Sequence, residues 1–394
     1  MLRDTIKGAD LARVIACSAV FIHHLAFSVR KPDLPVGLLT VLDWAEKGKF
    51  GVSVFFVLSG FLLALPFWRR SDAARTFDMR YYAIMRIARI VPATWVCLIV
   101  SVAVGIFYLG YFNDWTILRL MSGFAFVSAW HWLTFFPTDS NGPLWSLSME
   151  VSSYIFMPAA FLAFRAVAPG LLRGWRGRYV WSAVILAALL LHAVAYEWLP
   201  KADVATAARY EVAETAVSWF PTYNAFGFFA MFAIGTLAAG VQTAPREKVG
   251  YAAAVRAILV LGVGALVPFV VFRLIAAPFA VPTPPFAFPK LPIAVAMFLV
   301  VVQHVDFGRL IDNKIIEKFA QLSFGVYIWQ QLVLTFVTAA IDTQQVDSLL
   351  RCGIIATVSF SMTIAIAWVS YRYFEEPVLE RARTWARRGV QRQG

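Results

Sequence analysis

The sequence predicts an all-α, polytopic membrane protein, and three observations carry that prediction. Hydrophobic residues make up 60% of the 394 and charged residues only 15%, with a mean hydropathy of +0.69, whereas soluble domains carry about 25% charge. The apolar residues gather in runs near the ~20 residues needed to cross a bilayer. The 35 Lys and Arg lie mostly in the short stretches between those runs. A net charge of +12 alone would suit nucleic acid. Its spread through short loops fits positive-inside orientation instead, with the lipid bilayer as the partner and no nucleic acid.

Ten spans are expected, at about 11–29, 49–68, 91–111, 149–168, 179–199, 220–241, 254–275, 290–305, 321–341 and 352–374. The eighth is short and follows the proline-rich stretch Val281 to Pro292. A further apolar piece, 117–136, is broken by Gly123, His131 and Pro137. It reads as a re-entrant or interfacial segment, with an eleventh span as the alternative. Charge decides between them. With ten spans and the N-terminus inside, 24 basic residues fall on the inner side and ten on the outer, Arg13 lying within the first helix. An eleventh span would invert everything after residue 137 and destroy that asymmetry, so both termini are expected in the cytoplasm. The run after Arg13 is long and no small-residue cleavage site precedes Arg30, so the first helix is expected to be retained. The domain reading is a membrane domain over 1–380 and a basic cytoplasmic tail over 381–394. No internal repeat is visible, and repeats mark many transporters.

The first helix carries an acid, a guanidinium and an imidazole through apolar surroundings: Asp10, Arg13 and His24. At 100° per residue they fall within roughly 60° of one another. Arg13 and His24 are eleven residues apart, about 16 Å along the axis. They form a stripe and not a contact. Such a stripe normally faces a protein-lined, wet interior. Asp10 is too far from His24 to be its partner and reads as a bridge to nearby arginines. An imidazole is the usual general base near neutral pH. The plain alternative for His24 is a hydrogen bond to another helix, which its place on a shared polar face disfavours. His23 points some 100° away, so the two histidines are no metal pair. Cys17, Cys97 and Cys352 give neither a disulfide framework nor a zinc pattern, and no metal is expected.

Four further motifs follow. Arg86 and Arg89 in Arg80–Pro92 are i, i+3 neighbours at a cytoplasmic membrane edge. Two guanidiniums there make a phosphate clamp, or serve only orientation and anionic lipid contact. Ser59 and Gly60 lie in Gly51–Leu62, whose small residues read as a close-packing face. Trp145 and Glu150 lie in Asn141–Glu150, entering the fourth span. Glu150 is either favoured by the helix dipole or is a carboxylate near the depth of His24, orienting the imidazole or an acceptor hydroxyl. Glu375 and Glu376 close the last span before Pro377. They are either solvated or partners for Arg13, Arg86 or Arg89, with Glu376 taken as the orienting residue.

In this order, D-x-x-R with a histidine eleven residues after the arginine, S-G-F-L, R-x-x-R-I-x-P, P-L-W-S-L-S-x-E and S-Y-x-x-x-E-x-P resemble the acyltransferase-3 family of integral membrane O-acyltransferases. The resemblance covers roughly 4–380. It implies a ten-helix bundle in the bacterial inner membrane that moves an acyl group, often acetyl from acetyl-CoA, to hydroxyls of extracytoplasmic glycans or glycoconjugates. Some members modify small molecules such as antibiotics instead. Carried over by motif, His24 resembles the catalytic histidine, Arg13 the arginine that accompanies it, and Arg86 and Arg89 the donor-binding pair. One departure is Gln330, where many relatives have histidine. The implied donor is acyl-CoA and the implied acceptor a carbohydrate. The competing class is a transporter or flippase of a polar solute, which intramembrane charges also suit. A membrane scaffold would need no polar stripe.

Overall fold

The computed structural model describes residues 6–244, 251–303, 313–342 and 347–391. Arg3, Arg246, Lys248, Arg309 and Arg392, used above in counting charge, lie outside the described residues, as do residues 392–394 of the tail. In chain order the helices are α1 (Ala9–Val29), α2 (Val36–Ala45), α3 (Gly51–Asp72), α4 (Met79–Phe107), α5 (Thr116–Phe124), α6 (Trp145–Val167), α7 (Gly174–Trp198), α8 (Val204–Arg209), α9 (Glu214–Trp219), α10 (Ala225–Thr243), α11 (Tyr251–Ala276), α12 (Lys290–Val301), α13 (Lys314–Asp342), α14 (Ser348–Ser370) and α15 (Glu376–Gln391). No strand occurs among the described residues, as expected where lipid cannot satisfy an open backbone.

Nine of these helices are long and apolar enough to span a membrane. Each of the ten expected spans overlaps one helix. The eighth is the exception in length: α12 has 12 residues, about 18 Å, against ~30 Å of hydrocarbon. The broken stretch 117–136 is not a spanning helix. It is α5 followed by two 3₁₀ turns, so the eleventh span is absent. Residues 79–90, which lie between the second and third expected spans, are helical throughout: the Asp78 side chain accepts from the Tyr81 N–H at 2.9 Å and starts α4 a full three turns before the expected span. Asn224, Asn313 and Asp347 cap α10, α13 and α14 in the same way. Helix α15 runs through residue 380 without a break.

The bundle has a near face, where α1 begins, and a far face, where α1 ends. Helix α10 is buried over nearly its whole length and is apolar on almost every side, which suits a central helix. It is ringed by α3, α6, α7, α11 and α12. The α3–α10 crossing is close enough that a Cβ at Gly60 would sit 2.0 Å from the Phe232 carbonyl oxygen, and one at Gly235 2.0 Å from that of Val57. Small residues let these backbones touch. Helices α1, α13 and α14 pack together beside this core, and α15 lies against α4.

Buried arginines fasten both faces. On the near face, fully buried Arg178 of α7 grips Asp72 at the end of α3 with two bonds of 2.8 Å and donates to the Gly240 carbonyl of α10 at 2.8 Å. On the far face, Arg119 of α5 holds Asp139 through bonds of 2.7 and 2.6 Å.

Candidate active site

Helix α6 places Ser146, Glu150 and Tyr154 at four-residue intervals, hence on one face. Glu150 Oε1 accepts from Ser59 Oγ of α3 at 3.3 Å and from the Tyr154 hydroxyl. One turn away, the Ser146 and Tyr327 hydroxyls are hydrogen-bonded to each other, joining α6 to α13. Helix α6 starts at Trp145, so Glu150 lies beyond the first turn, where the dipole's pull on a carboxylate has faded. Its place is set by Ser59 and Tyr154.

These groups line a cavity of about 140 Å³ that also takes in Arg13 of α1 and Arg86 and Arg89 of α4. Arg13 Nη1 lies 2.8 Å from Asp10 Oδ1. The Arg86 guanidinium sits 6.0 Å from the centre of the Tyr154 ring, and that of Arg89 5.2 Å from the Phe324 ring. Arg89 Nη1 also lies 3.5 Å from Glu375 Oε2, a carboxylate only 2% exposed. Three guanidiniums and one carboxylate from three helices, α1, α4 and α6, therefore meet on one space. Chemically, the cationic part can hold phosphate and the carboxylate can accept from a hydroxyl.

Five of the residues singled out in the sequence lie together here: Arg13, Ser59, Arg86, Arg89 and Glu150. Asp10 joins them through Arg13. Gly60 serves the α3–α10 crossing. Trp145 stacks on Phe135, with ring centroids 5.3 Å apart, and meets Trp219, Tyr223 and Phe228 edge-on. It closes the far side as part of an aromatic plug, with Trp219 stacked on Tyr223 at 4.9 Å. Glu376 is not the partner of a site arginine. It pairs with Arg372 at 2.9 Å and accepts from the Tyr371 hydroxyl. The residue that turns inward is Glu375, because residues 371–375 form a π turn that shifts the helical phase at the end of α14.

His24 does not line this cavity. The helix register shows why. Cys17 Sγ lies 3.5 Å from the Ser323 carbonyl, and Ala26 and Val29 pack with Val333 and Val337 further on, so α1 and α13 run parallel. Ser146 is level with Tyr327, and α6 runs the opposite way. Glu150 is therefore level with Ser323 and Cys17. His24 is one heptad beyond Cys17, about 10 Å nearer the far face. The shared depth expected for Glu150 and His24 is not found, and His24 Nδ1 is buried without a hydrogen-bond partner. The residue one heptad beyond Ser323 is Gln330, fully buried, with Oε1 likewise unpartnered. A heptad keeps nearly the same facing, so His24 and Gln330 belong to one level of the α1–α13 seam.

Tyr154, Ser146 and Tyr327 were not singled out as site residues, and of the two acids before Pro377 it was Glu376, not Glu375, that was taken as the orienting one. The spacing of the first two from Glu150 was a readable signal; the inward turn of Glu375 was not.

A family model described as "Acyltransferase domain" matches residues 6–372. The chain belongs to the acyltransferase-3 family. It is an enzyme class that transfers acyl groups, here on a multi-pass helical membrane scaffold. The chain is 24% identical over 399 residues to the peptidoglycan O-acetyltransferase OatA of Listeria monocytogenes, covering 95% of this chain and 56% of that one. It is 29% identical over 166 residues to Bacillus subtilis YrhL, whose name as a peptidoglycan O-acetyltransferase is provisional, covering 39% of this chain and 23% of YrhL. A provisionally named O-acetyltransferase of Staphylococcus aureus strain COL is 30% identical over 164 residues, 39% of this chain and 24% of that protein. The chain thus spans about half the length of OatA and about a quarter is matched in the other two. No solved structure matches.

Proposed function

We propose that this acyltransferase carries an acetyl group from cytoplasmic acetyl-CoA to a hydroxyl of an envelope glycan presented at the outer side of the bacterial inner membrane. Peptidoglycan is the first candidate acceptor, on the strength of the relatives' names. The observation that carries the reading is the convergence of Arg13, Arg86 and Arg89 beside Glu150 in one cavity. The arginines take the CoA phosphates. The pantetheine arm runs along α1, whose Arg13-to-His24 rise is about 16 Å, and brings the thioester towards His24. His24 removes the proton of the acceptor hydroxyl. The new C–O ester bond forms as the C–S bond breaks, and the proton passes to the departing thiolate. Gln330, level with His24, offers the acceptor a hydrogen bond, and Glu150 with Tyr154 and Ser59 fixes the donor end of the path. Positive-inside charge supports the near face as cytoplasmic.

The test uses purified full-length protein in liposomes with labelled acetyl-CoA and peptidoglycan fragments, read by the acetyl mass increment on the glycan. His24→Ala should lower transfer by about 10² to 10⁴ while donor binding is kept. Full transfer by His24→Ala ends the proposed chemistry, and transfer from a donor other than acyl-CoA ends the proposed donor.

A further inference from the structure

We propose that a second cavity, on the near face, is a phosphate-binding site formed by Arg75, Arg165 and Arg173. It has a volume of about 170 Å³ and lies between the ends of α3 and α6 and the turn before α7. The three arginines come from three elements. Arg75 follows α3, Arg165 belongs to the last turn of α6, and Arg173 precedes α7. Arg165 is held in place: Nη1 donates to the Arg75 carbonyl at 2.8 Å, and the guanidinium lies 5.8 Å from the Phe77 ring centre. The stem of Arg173 folds over Gly170, where φ is +93° and a Cβ would come within 3.3 Å of Arg173 Cδ. Glycine is the residue that suits both that φ and that approach.

Nothing in the cavity neutralises this charge. No carboxylate lines it. Two acids flank it in sequence: Asp72 has both oxygens engaged by Arg178 and Oδ1 also by the Gly174 N–H at 2.9 Å, and Asp78 caps α4, its Oδ1 accepting from the Tyr81 N–H. Among the described residues, neither Arg75, Arg165 nor Arg173 forms an ion pair. Orientation by basic loops needs only charge somewhere on a face; it does not need guanidiniums converging on one concavity. The forked donors of arginine match phosphate oxygens. The rest of the wall is mostly apolar and includes the aromatic rings of Phe77, Phe161 and Phe164, so the ligand carries its phosphate next to an apolar or flat group. A phospholipid headgroup and a soluble nucleotide both have that chemistry. Along α6, Arg165 is eleven residues from Tyr154, about 16 Å, which separates this site from the cavity at Glu150. The inference does not depend on the donor proposed above.

Full-length protein in nanodiscs provides the test. One arm titrates adenosine 3′,5′-bisphosphate by calorimetry. The other measures enrichment of phosphatidylglycerol over phosphatidylcholine by native mass spectrometry. R75E/R173E alters two exposed side chains and should lose about tenfold or more in one arm, and R75K/R173K, which keeps the charge but not the fork, should lose less. Loss in the first arm identifies a soluble phosphate ester, and loss in the second a lipid headgroup. Equal binding by wild type and R75E/R173E in both arms overturns the site. So does equal loss by the glutamate and lysine pairs, which would trace the effect to local structure and not to charge.

Discussion

The two arginines of the R-x-x-R stretch are one turn apart and look alike in sequence, yet the structure separates their roles. Arg89 faces Glu375 at 3.5 Å, and Glu375 is 2% exposed. Removing Arg89 strands that carboxylate with the Ser370 hydroxyl at 3.1 Å as its remaining donor. Breaking a buried pair costs about 3–5 kcal/mol. Arg89 is itself 26% exposed, so water can replace part of the lost interaction, and about 2–3 kcal/mol is the expected loss. Arg86 makes no ion pair among the described residues, so Arg86→Ala should leave stability within about 0.5 kcal/mol and weaken acetyl-CoA binding by about 10- to 100-fold. The assay is a double-mutant cycle over Arg89→Ala and Glu375→Gln, with thermal unfolding in detergent and donor binding measured in parallel. Neutralising Glu375 should restore most of the stability lost in Arg89→Ala without restoring donor affinity. If Arg89→Ala is as stable as Arg86→Ala, or if Glu375→Gln gives no rescue, the division of labour is refuted.

Gly60→Leu should abolish the α3–α10 approach, since even a Cβ there meets the Phe232 carbonyl oxygen at 2.0 Å; overpacking costs about 1–3 kcal/mol or more, and a wild-type yield of folded protein would contradict it. On the far face, burial lowers the pKa of His131, and its Nδ1 accepts the Leu133 N–H at 3.1 Å. Because the folded form favours the neutral ring, this contribution is complete above the usual histidine value near 6.5. It is lost as pH falls below that value through the lowered one. Faster amide exchange at Leu133 at pH 5 than at pH 7, after correction for intrinsic rate, is the expected sign, and His131→Asn should remove the pH step.

The spans were legible because hydrocarbon thickness imposes a length on every apolar run, and charge placement argued against a spanning helix at 117–136. The pairing of Arg86 with Arg89 was legible for the same reason that any i, i+3 pair is. What the sequence withheld is relative height. Glu150 and His24 each have a readable position within a helix, but the offset between α6 and α1 is fixed by contacts such as Ser146 with Tyr327 and Cys17 with Ser323. Those contacts have no signature in either segment. Glu376 was preferred to Glu375 as the inward acid for a different reason. A fixed 100° step puts neighbouring residues on predictable faces, and the π turn at 371–375 breaks that step. Ser146 and Tyr154 were hidden by commonness, since hydroxyl residues recur in apolar helices, although their spacing from Glu150 was there to be used.

The glycine contact between α3 and α10 has a mechanical consequence. Ser59, which holds Glu150, is the residue just before Gly60, so one wall of the cavity is carried by two main chains in direct contact. No rotamer change can relax such a wall. The opposite wall, Ser323, Phe324 and Tyr327 on α13 with Arg13 on α1, is held through side chains: packing, the Ser146–Tyr327 hydrogen bond and the thiol contact of Cys17. The first wall acts as an anvil and the second as a shutter. A ligand entering between them is expected to move the second alone, which hydrogen exchange on α13 against α10, with and without donor, would register.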